Sequence, residues 1–133
     1  MARGDHIYVP TKVPFINHHG IDCGGNLVIE YSKNGRIDLV SKQAFAQGRD
    51  ITIKHYSDNE CFSPEFVVIR AYSRLGETEY SLLCNNCEHF ASWCKTGNHV
   101  SEQVHPLIDK VWCKAPDIRP IFTTKRIPAI SVG

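Results

Sequence analysis

The stretch SLLCNNCEHFASWCKTG (residues 81–97) decides the fold prediction, because it contains the clearest helix signals in the chain. Asn85 and Asn86 supply capping side chains for a helix that begins at Cys87, and Gly97 supplies a stop. An acidic residue in the first turn and a basic one in the last complement the helix dipole. Side chains of low polarity recur at helical spacing and share one face: Cys87, Phe90, Ala91 and Cys94. We therefore predict a helix with a cysteine at its N-terminus.

The residues before this helix are predicted to form mainly strands. Alternating or β-branched runs indicate strands over 5–10, 16–23, 27–31, 37–40, 51–56 and 65–72. Two glycines and an asparagine at 24–26 are typical of a turn, so 16–31 is predicted to be a hairpin. Ser41 is predicted to cap a short helix that Gly48 ends. Strands followed by helices indicate an α+β fold, in which an antiparallel sheet packs against the helix bearing Cys87.

Composition indicates a soluble globular protein. The chain has 133 residues and a net charge of +1, so its charge gives no reason to expect a nucleic-acid partner. We expect one domain over residues 1–113 and a Pro-containing C-terminal tail over 114–133. The first residues lack the apolar core of a secretory signal, and no run approaches the ~18 apolar residues that cross a bilayer. We therefore expect a cytoplasmic location and reduced thiols.

Three interpretations compete for the cysteine cluster. Cys84 and Cys87 form a CxxC pair, but a structural zinc site usually shows a second closely spaced pair, which is not evident here. A thioredoxin-like redox pair requires a βαβ unit, which the hairpin pattern does not provide. The third interpretation makes Cys87 a nucleophile, because the N-terminus of a helix favours a thiolate. The residues alone disfavour the first two interpretations but do not establish the third.

A thiol nucleophile needs a base and a group that orients the base, and the predicted hairpin supplies both types of residue. A loop over residues 23–25 places His18 opposite Glu30, whereas a loop formed by the two glycines alone places His19 there. Facing Cβ atoms lie ~5 Å apart, close enough for a carboxylate to hold an imidazole. Sequence physics leaves the choice between the histidines open, and a surface hairpin with two solvated histidines is the plainer alternative.

Three motifs resemble the lecithin retinol acyltransferase (LRAT) family. They are "NNCEHF" at 85–90, "GD" at 4–5 and "HHGI" at 18–21, and the resemblance extends from about Gly4 to Val104. This family, also called the H-NC family, belongs to the permuted branch of the NlpC/P60 papain-like superfamily. The resemblance implies thiol-dependent acyl transfer or phospholipase-type hydrolysis of a lipid ester, through a thioester intermediate. It implies neither a metal nor an organic cofactor.

The resemblance also assigns residues. The family nucleophile falls on Cys87, its general base on His18, and the third polar group on Glu30, where some members have histidine. The backbone N–H of Cys87 is a candidate oxyanion donor. Asp22 replaces a family tyrosine on the strand face of His18, so we expect it beside the site as an accessory anion. His89 lies about 200° around the helix from Cys87, which favours packing or a backbone hydrogen bond over a role as base.

Two other functions fit the same scaffold. The added charge of Asp22 favours a non-catalytic H-NC binding or regulatory module, and the unpermuted relatives suggest an amide or peptide hydrolase. The expected partner is a lipid or another acyl-ester substrate, with transient contact at a membrane surface. The oligomeric state is not predictable from the sequence.

Overall fold

The computed structural model describes residues 2–32, 34–80 and 86–98. Five strands lie in the chain order β1 (His6–Pro10), β2 (Asn17–Gly24), β3 (Leu27–Tyr31), β4 (Ile37–Ser41) and β5 (Thr52–Lys54). The helices are α1 (Lys42–Ala46), α2 (Pro64–Ser73) and α3 (Cys87–Thr96). None of the helices in these described ranges is long and apolar enough to cross a membrane.

The strands form one antiparallel five-stranded sheet in the order β4-β3-β2-β1-β5. Successive residues of a strand point to opposite faces, and the two cores follow this alternation. Ile29 packs in the larger core with α2 and α3, whereas Val28 packs with Phe45 of α1 in a smaller one. The predicted α+β class with a cysteine-bearing helix on an antiparallel sheet is confirmed.

The hairpin of β2 and β3 has a different register from both predicted ones. Its turn consists of Gly25 and Asn26, whose φ angles of 59° and 64° are typical of a type I′ turn. A bulge at Cys23 then shifts the pairing, so that Gly20 lies opposite Glu30. Neither histidine faces Glu30 directly, and both predicted pairings are wrong because the bulge at Cys23 shifts the register of a regular hairpin.

The predicted strand at 65–72 is wrong, since these residues form α2. Ser63 occupies the N-cap position, Pro64 the first turn, and Glu65 adds a negative charge at the N-terminal end. Those are helix-start signals, because proline tolerates the first helical position and an anion favours the positive end of the dipole. The β-branched residues Val67 and Val68 suggested a strand, but in the structure they pack the inner side of the helix against the larger core.

The other predictions near the sheet are mostly confirmed. Ser41 caps α1 by accepting a hydrogen bond from the backbone N–H of Ala44 at 3.0 Å. The predicted strand 51–56 is shorter, with pairing limited to Thr52–Lys54 at the edge of the sheet. Asn85, Cys84 and everything from residue 99 lie outside the described residues, so the boundary at 113 and the tail remain predictions.

Candidate active site

The first turn of α3 fixes the position of Cys87. Asn86 is the N-cap: its Oδ1 accepts from the backbone N–H of His89 at 2.9 Å, and its own N–H donates to His89 Nδ1 at 3.0 Å. This reciprocal pair is a capping box, so the predicted backbone hydrogen bond of His89 is confirmed. Cys87 is the first helical residue, and its N–H is among those that a helix leaves without an internal acceptor. An anion beside Cys87 therefore faces a backbone donor.

His18 and Glu30 meet diagonally across the hairpin. The Nε2 atom of His18 lies 2.7 Å from Oε1 of Glu30, although the residue opposite Glu30 is Gly20. Diagonal neighbours on one face of a sheet are within reach of long side chains. A Cβ atom on Gly20 would lie 2.7 Å from Cγ1 of Val28 and 2.9 Å from the Phe45 ring, so only glycine fits there. The predicted partnership of His18 with Glu30 thus exists in a different register.

His18 also lies beside Cys87 of α3, whose side chain comes close to the start of β2. The Cys87 Sγ atom is 3.8 Å from the backbone oxygen of Asn17. Burial lowers the pKa of His18, but hydrogen bonds and charge interactions with Cys87 and Glu30 outweigh it and raise that pKa from 6.5 to about 9. Since Glu30 engages Nε2, Nδ1 is the ring nitrogen left to exchange a proton with the thiol. The Phe45 ring lies 5.1 Å from the imidazole, centroid to centroid, and restricts its position.

His19 lies on the opposite face of β2. It is buried, and its Nδ1 atom is 2.8 Å from Nε2 of His6, whose Nδ1 is in turn 2.8 Å from the hydroxyl of Tyr56. Burial lowers the pKa of His6 well below 6.5, and the positive potential from His19, Lys54 and Lys95 lowers it further. The structure therefore brings His18, and not His19, to Cys87 and Glu30.

Asp22 lies away from this cluster. Its carboxylate is buried, accepts from the backbone N–H of Gly24 at 2.8 Å and lies 3.0 Å from Nζ of Lys42 in α1. It shares a strand face with His18 but is four residues farther along, roughly 13 Å in an extended strand. It does not line the groove described next, so the geometry gives no support to an accessory role beside the oxyanion. Its negative charge is instead neutralised at α1.

A groove of about 790 Å³ opens beside the three residues and includes side chains of Cys87, His18 and Glu30 in its wall. Its other walls come from the β1–β2 loop and the start of β2, from β3, β4 and the loop between them, from α1, and from segments that follow α1 and α2: Thr11, Lys12, Val13, Ile16, Asn17, Tyr31, Ser32, Asn34, Asp38, Ala44, Phe45, Gln47, Arg49 and Tyr80. Sequence reasoning missed these residues. The one available signal for the groove was the phenylalanine in α1, because a short helix at the surface does not require a large apolar side chain. Within the described ranges, no group of three His, Cys, Asp or Glu side chains is arranged to hold a metal ion.

The chain matches the family model described as lecithin retinol acyltransferase over residues 1–100. It is 40% identical over 79 residues to the lecithin retinol acyltransferase of Mus musculus, covering 57% of this chain and 33% of the relative. The enzyme of the same name from Rattus norvegicus is 34% identical over 100 residues, covering 73% of this chain and 42% of the relative. The Homo sapiens protein of that name is 33% identical over the same length, with 73% and 43% covered.

These alignments span less than half the length of each relative, but the family match covers most of this chain. It includes β2, β3 and α3, the elements that carry His18, Glu30 and Cys87. The chain therefore belongs to the lecithin retinol acyltransferase family.

Proposed function

We propose that this chain is a thiol acyltransferase or hydrolase that cleaves a lipid ester through a thioester on Cys87. One observation carries the proposal: His18 is hydrogen-bonded to the Glu30 carboxylate and lies with Cys87 in the wall of one groove, where both residues raise its pKa. A thiol, a base and a group that orients the base are the three parts of nucleophilic acyl transfer. The family consists of acyltransferases, which makes an ester the expected substrate.

The first half of the reaction forms the acyl-enzyme. His18 takes the proton of Cys87, and the thiolate sulfur attacks the ester carbonyl carbon. The carbonyl oxygen becomes an oxyanion beside the N–H of Cys87, at the positive end of α3. The C–O bond to the leaving alcohol then breaks while His18 returns its proton to that oxygen, which leaves a thioester and a free alcohol.

The second half releases the acyl group. Water, or an alcohol or amine acceptor, loses a proton to His18 and attacks the thioester carbonyl, so that Cys87 leaves as a thiolate and regains its proton. Glu30 holds the ring by accepting the Nε2 proton and stabilises the imidazolium in both halves. The raised pKa of His18 suits this exchange, because the residue must retain a proton beside a thiolate at neutral pH.

The lipid nature of the donor is inferred from the relatives and from the groove. The relatives' names specify lecithin and retinol, both lipids. Apolar side chains from separate parts of the chain line the groove beside Cys87, namely Val13, Ile16 and Phe45. Such a surface accepts an acyl chain, because burial of each methylene contributes about 0.8 kcal/mol.

Intact-mass spectrometry tests the proposal directly. We expect wild-type protein incubated with a short-chain phosphatidylcholine to gain the mass of one acyl group. Cys87→Ala should gain none and should release fatty acid at least about 10⁴-fold more slowly. Cys61→Ala is the matched control, because it removes a different buried thiol of the described residues.

Two results would contradict the proposal. An adduct that persists in Cys87→Ala places the nucleophile elsewhere. A wild-type protein that forms no adduct and releases no fatty acid is not an esterase of this kind. A parallel incubation with an amide of the same acyl group then separates an amide hydrolase from a non-catalytic binding module.

A further inference from the structure

The loop between β1 and β2 has an apolar tip that the fold does not use. Phe15 is 97% exposed and Val13 is 57% exposed, so neither contributes much to either core. Phe15 also has a φ of 65°, in the left-handed region that strains residues other than glycine. The folded chain thus holds a large apolar side chain in water at the expense of backbone strain. Strain of this kind clusters at sites of function.

The loop is held in one shape by its own hydrogen bonds. The backbone N–H of Thr11 donates to the carbonyl of Ile16 at 3.2 Å, and the Thr11 hydroxyl donates to the same oxygen at 2.7 Å. The N–H of Ile16 donates to the carbonyl of Val13 at 3.1 Å. These bonds close the loop into a compact turn, so Phe15 and Val13 project from a preformed support.

The same loop forms one rim of the groove that contains Cys87. Thr11, Val13 and Ile16 line the groove, and Phe15 lies in the chain between two of these lining residues. A surface that contacts the tip of the loop therefore also lies beside the groove opening. An apolar tip next to a site for a lipid ester fits a lipid surface better than an unrelated protein partner.

The charge around the loop is positive. Lys12 is exposed in the loop, and Arg49 lies against its start, with Nη1 donating to the carbonyl of Pro10 at 2.9 Å. The two acidic side chains lining the described part of the groove are already engaged: Glu30 by His18, and Asp38 by Arg36 at 2.7 Å. Cations beside exposed apolar residues are the combination that binds an anionic bilayer surface.

We propose that loop 11–16 docks on an anionic lipid–water interface. Phe15 and Val13 enter the boundary of the apolar layer, while Lys12 and Arg49 contact the headgroup phosphates. The groove then opens onto the bilayer, where a lipid ester enters without crossing water. This inference rests on the proposed function for the identity of that ester, but binding to the surface is measurable without turnover.

Vesicle co-sedimentation tests the docking, with every variant built on Cys87→Ala to prevent hydrolysis. The vesicles are phosphatidylcholine with or without phosphatidylserine. Phe15→Gly should bind about tenfold more weakly, because it removes the apolar tip. Its thermal midpoint should not fall, since glycine adopts a φ of 65° without strain. Ile69→Ser, which removes an apolar side chain that is 49% exposed on α2, is the matched control and should bind as the parent does.

The charge contribution is tested with Lys12→Glu. This variant should lose affinity for vesicles that contain phosphatidylserine and keep it for phosphatidylcholine alone, and added salt should reduce the difference. Equal losses for both types of vesicle would contradict the proposed role of the cation.

Three results would overturn the proposal. They are a parent protein that does not sediment with either vesicle, a Phe15→Gly variant that binds as the parent does, and equal losses in Phe15→Gly and Ile69→Ser. A change from dimer to monomer in Phe15→Gly with unchanged vesicle binding would make the loop a contact between copies. Hydrolysis of a water-soluble ester by the unsubstituted protein tests the chemistry separately, so docking and catalysis can fail independently.

Discussion

His18 and His19 are adjacent in the chain but lie on opposite faces of β2, in contrasting environments. His18 is partly exposed at the groove, and interactions with Cys87 and with the Glu30 carboxylate outweigh the effect of burial and raise its pKa to about 9. His19 is buried against His6, and burial together with the positive potential from His19, Lys54 and Lys95 lowers the pKa of His6 well below 6.5. Burial and nearby positive charge lower the pKa of a histidine, whereas a neighbouring carboxylate raises it.

The two faces of β2 therefore differ in role: one contributes to the candidate active site and the other to the stability of the fold. The groove face holds His18, whose pKa is raised and for which we propose a role in proton transfer. The other face holds the buried His6, whose lowered pKa favours the uncharged imidazole. A sequence with two consecutive histidines does not distinguish these roles, because the distinction comes from β1 and β3, the strands on either side.

The largest expected effect is on turnover. His18→Gln should reduce ester hydrolysis about 10³-fold, because glutamine bonds to Glu30 but cannot transfer the proton. His19→Gln should reduce it far less and should instead lower the free energy of unfolding. Steady-state assays and urea titrations of both variants provide the comparison. An equal loss of turnover in His19→Gln would show that the two faces are not functionally separate.

A smaller effect is expected from Glu30→Gln. This variant keeps the shape of the side chain but removes the charge, so turnover should fall on the order of tenfold and the pKa of His18 should fall. The imidazolium that protonates the leaving alcohol is lost as pH rises through the folded pKa of His18, about 9 in the parent protein. The alkaline limb of the pH–rate profile should therefore move to lower pH. An unmoved limb would remove Glu30 from the proposed mechanism.

The Glu30→His variant sharpens this test. The resemblance indicates that some family members have histidine at this position, so imidazole should orient His18 without the charge. We expect more turnover from Glu30→His than from Glu30→Gln, measured with the same ester. Turnover of Glu30→His no higher than that of Glu30→Gln would show that an imidazole at this position does not orient His18.

The smallest effect on turnover, but a clear effect on stability, is expected from His6→Phe. It leaves the hydroxyl of Tyr56 and Nδ1 of His19 without their bond to His6, at a cost of about 2 kcal/mol in unfolding free energy. Urea unfolding measures this change. A variant as stable as the parent protein would show that the buried pair does not stabilise the fold.

The pH dependence of stability should have opposite signs on the two faces. The unfolded chain binds a proton at His6 near pH 6.5 and the folded chain does not, so this contribution is lost as pH falls below 6.5. His18 has a raised folded pKa, so its contribution is present below 6.5 and lost as pH rises toward 9. Urea titrations across pH measure this free energy of unfolding. It should depend less on pH on the acid side in His6→Phe, and less on pH on the alkaline side in His18→Gln.

The fold and the groups at the site were predictable where local signals suffice. The cap, first turn and stop of α3 lie within a dozen residues, and the structure confirms that helix. The hairpin was predictable as a unit, but its register depended on the Cys23 bulge, which no local signal specified. At 65–72 the β-branched residues suggested a strand, although the preceding proline indicated the start of a helix. The position of Asp22 depended on Lys42 in α1, a contact that strand alternation alone does not show.

Gly20 has a consequence for how this site tolerates evolutionary change. It lies opposite Glu30, and the space that it leaves unfilled is closed by Val28, Phe45 and the backbone of Ile29. A substitution at position 30 changes only the group that holds the imidazole of His18, so several residues are compatible with activity there. Any side chain at position 20 must first displace Val28 and the backbone of Ile29 in β3 and the ring of Phe45 in α1. In a saturation library selected for activity, position 30 should therefore return several residues and position 20 a single one.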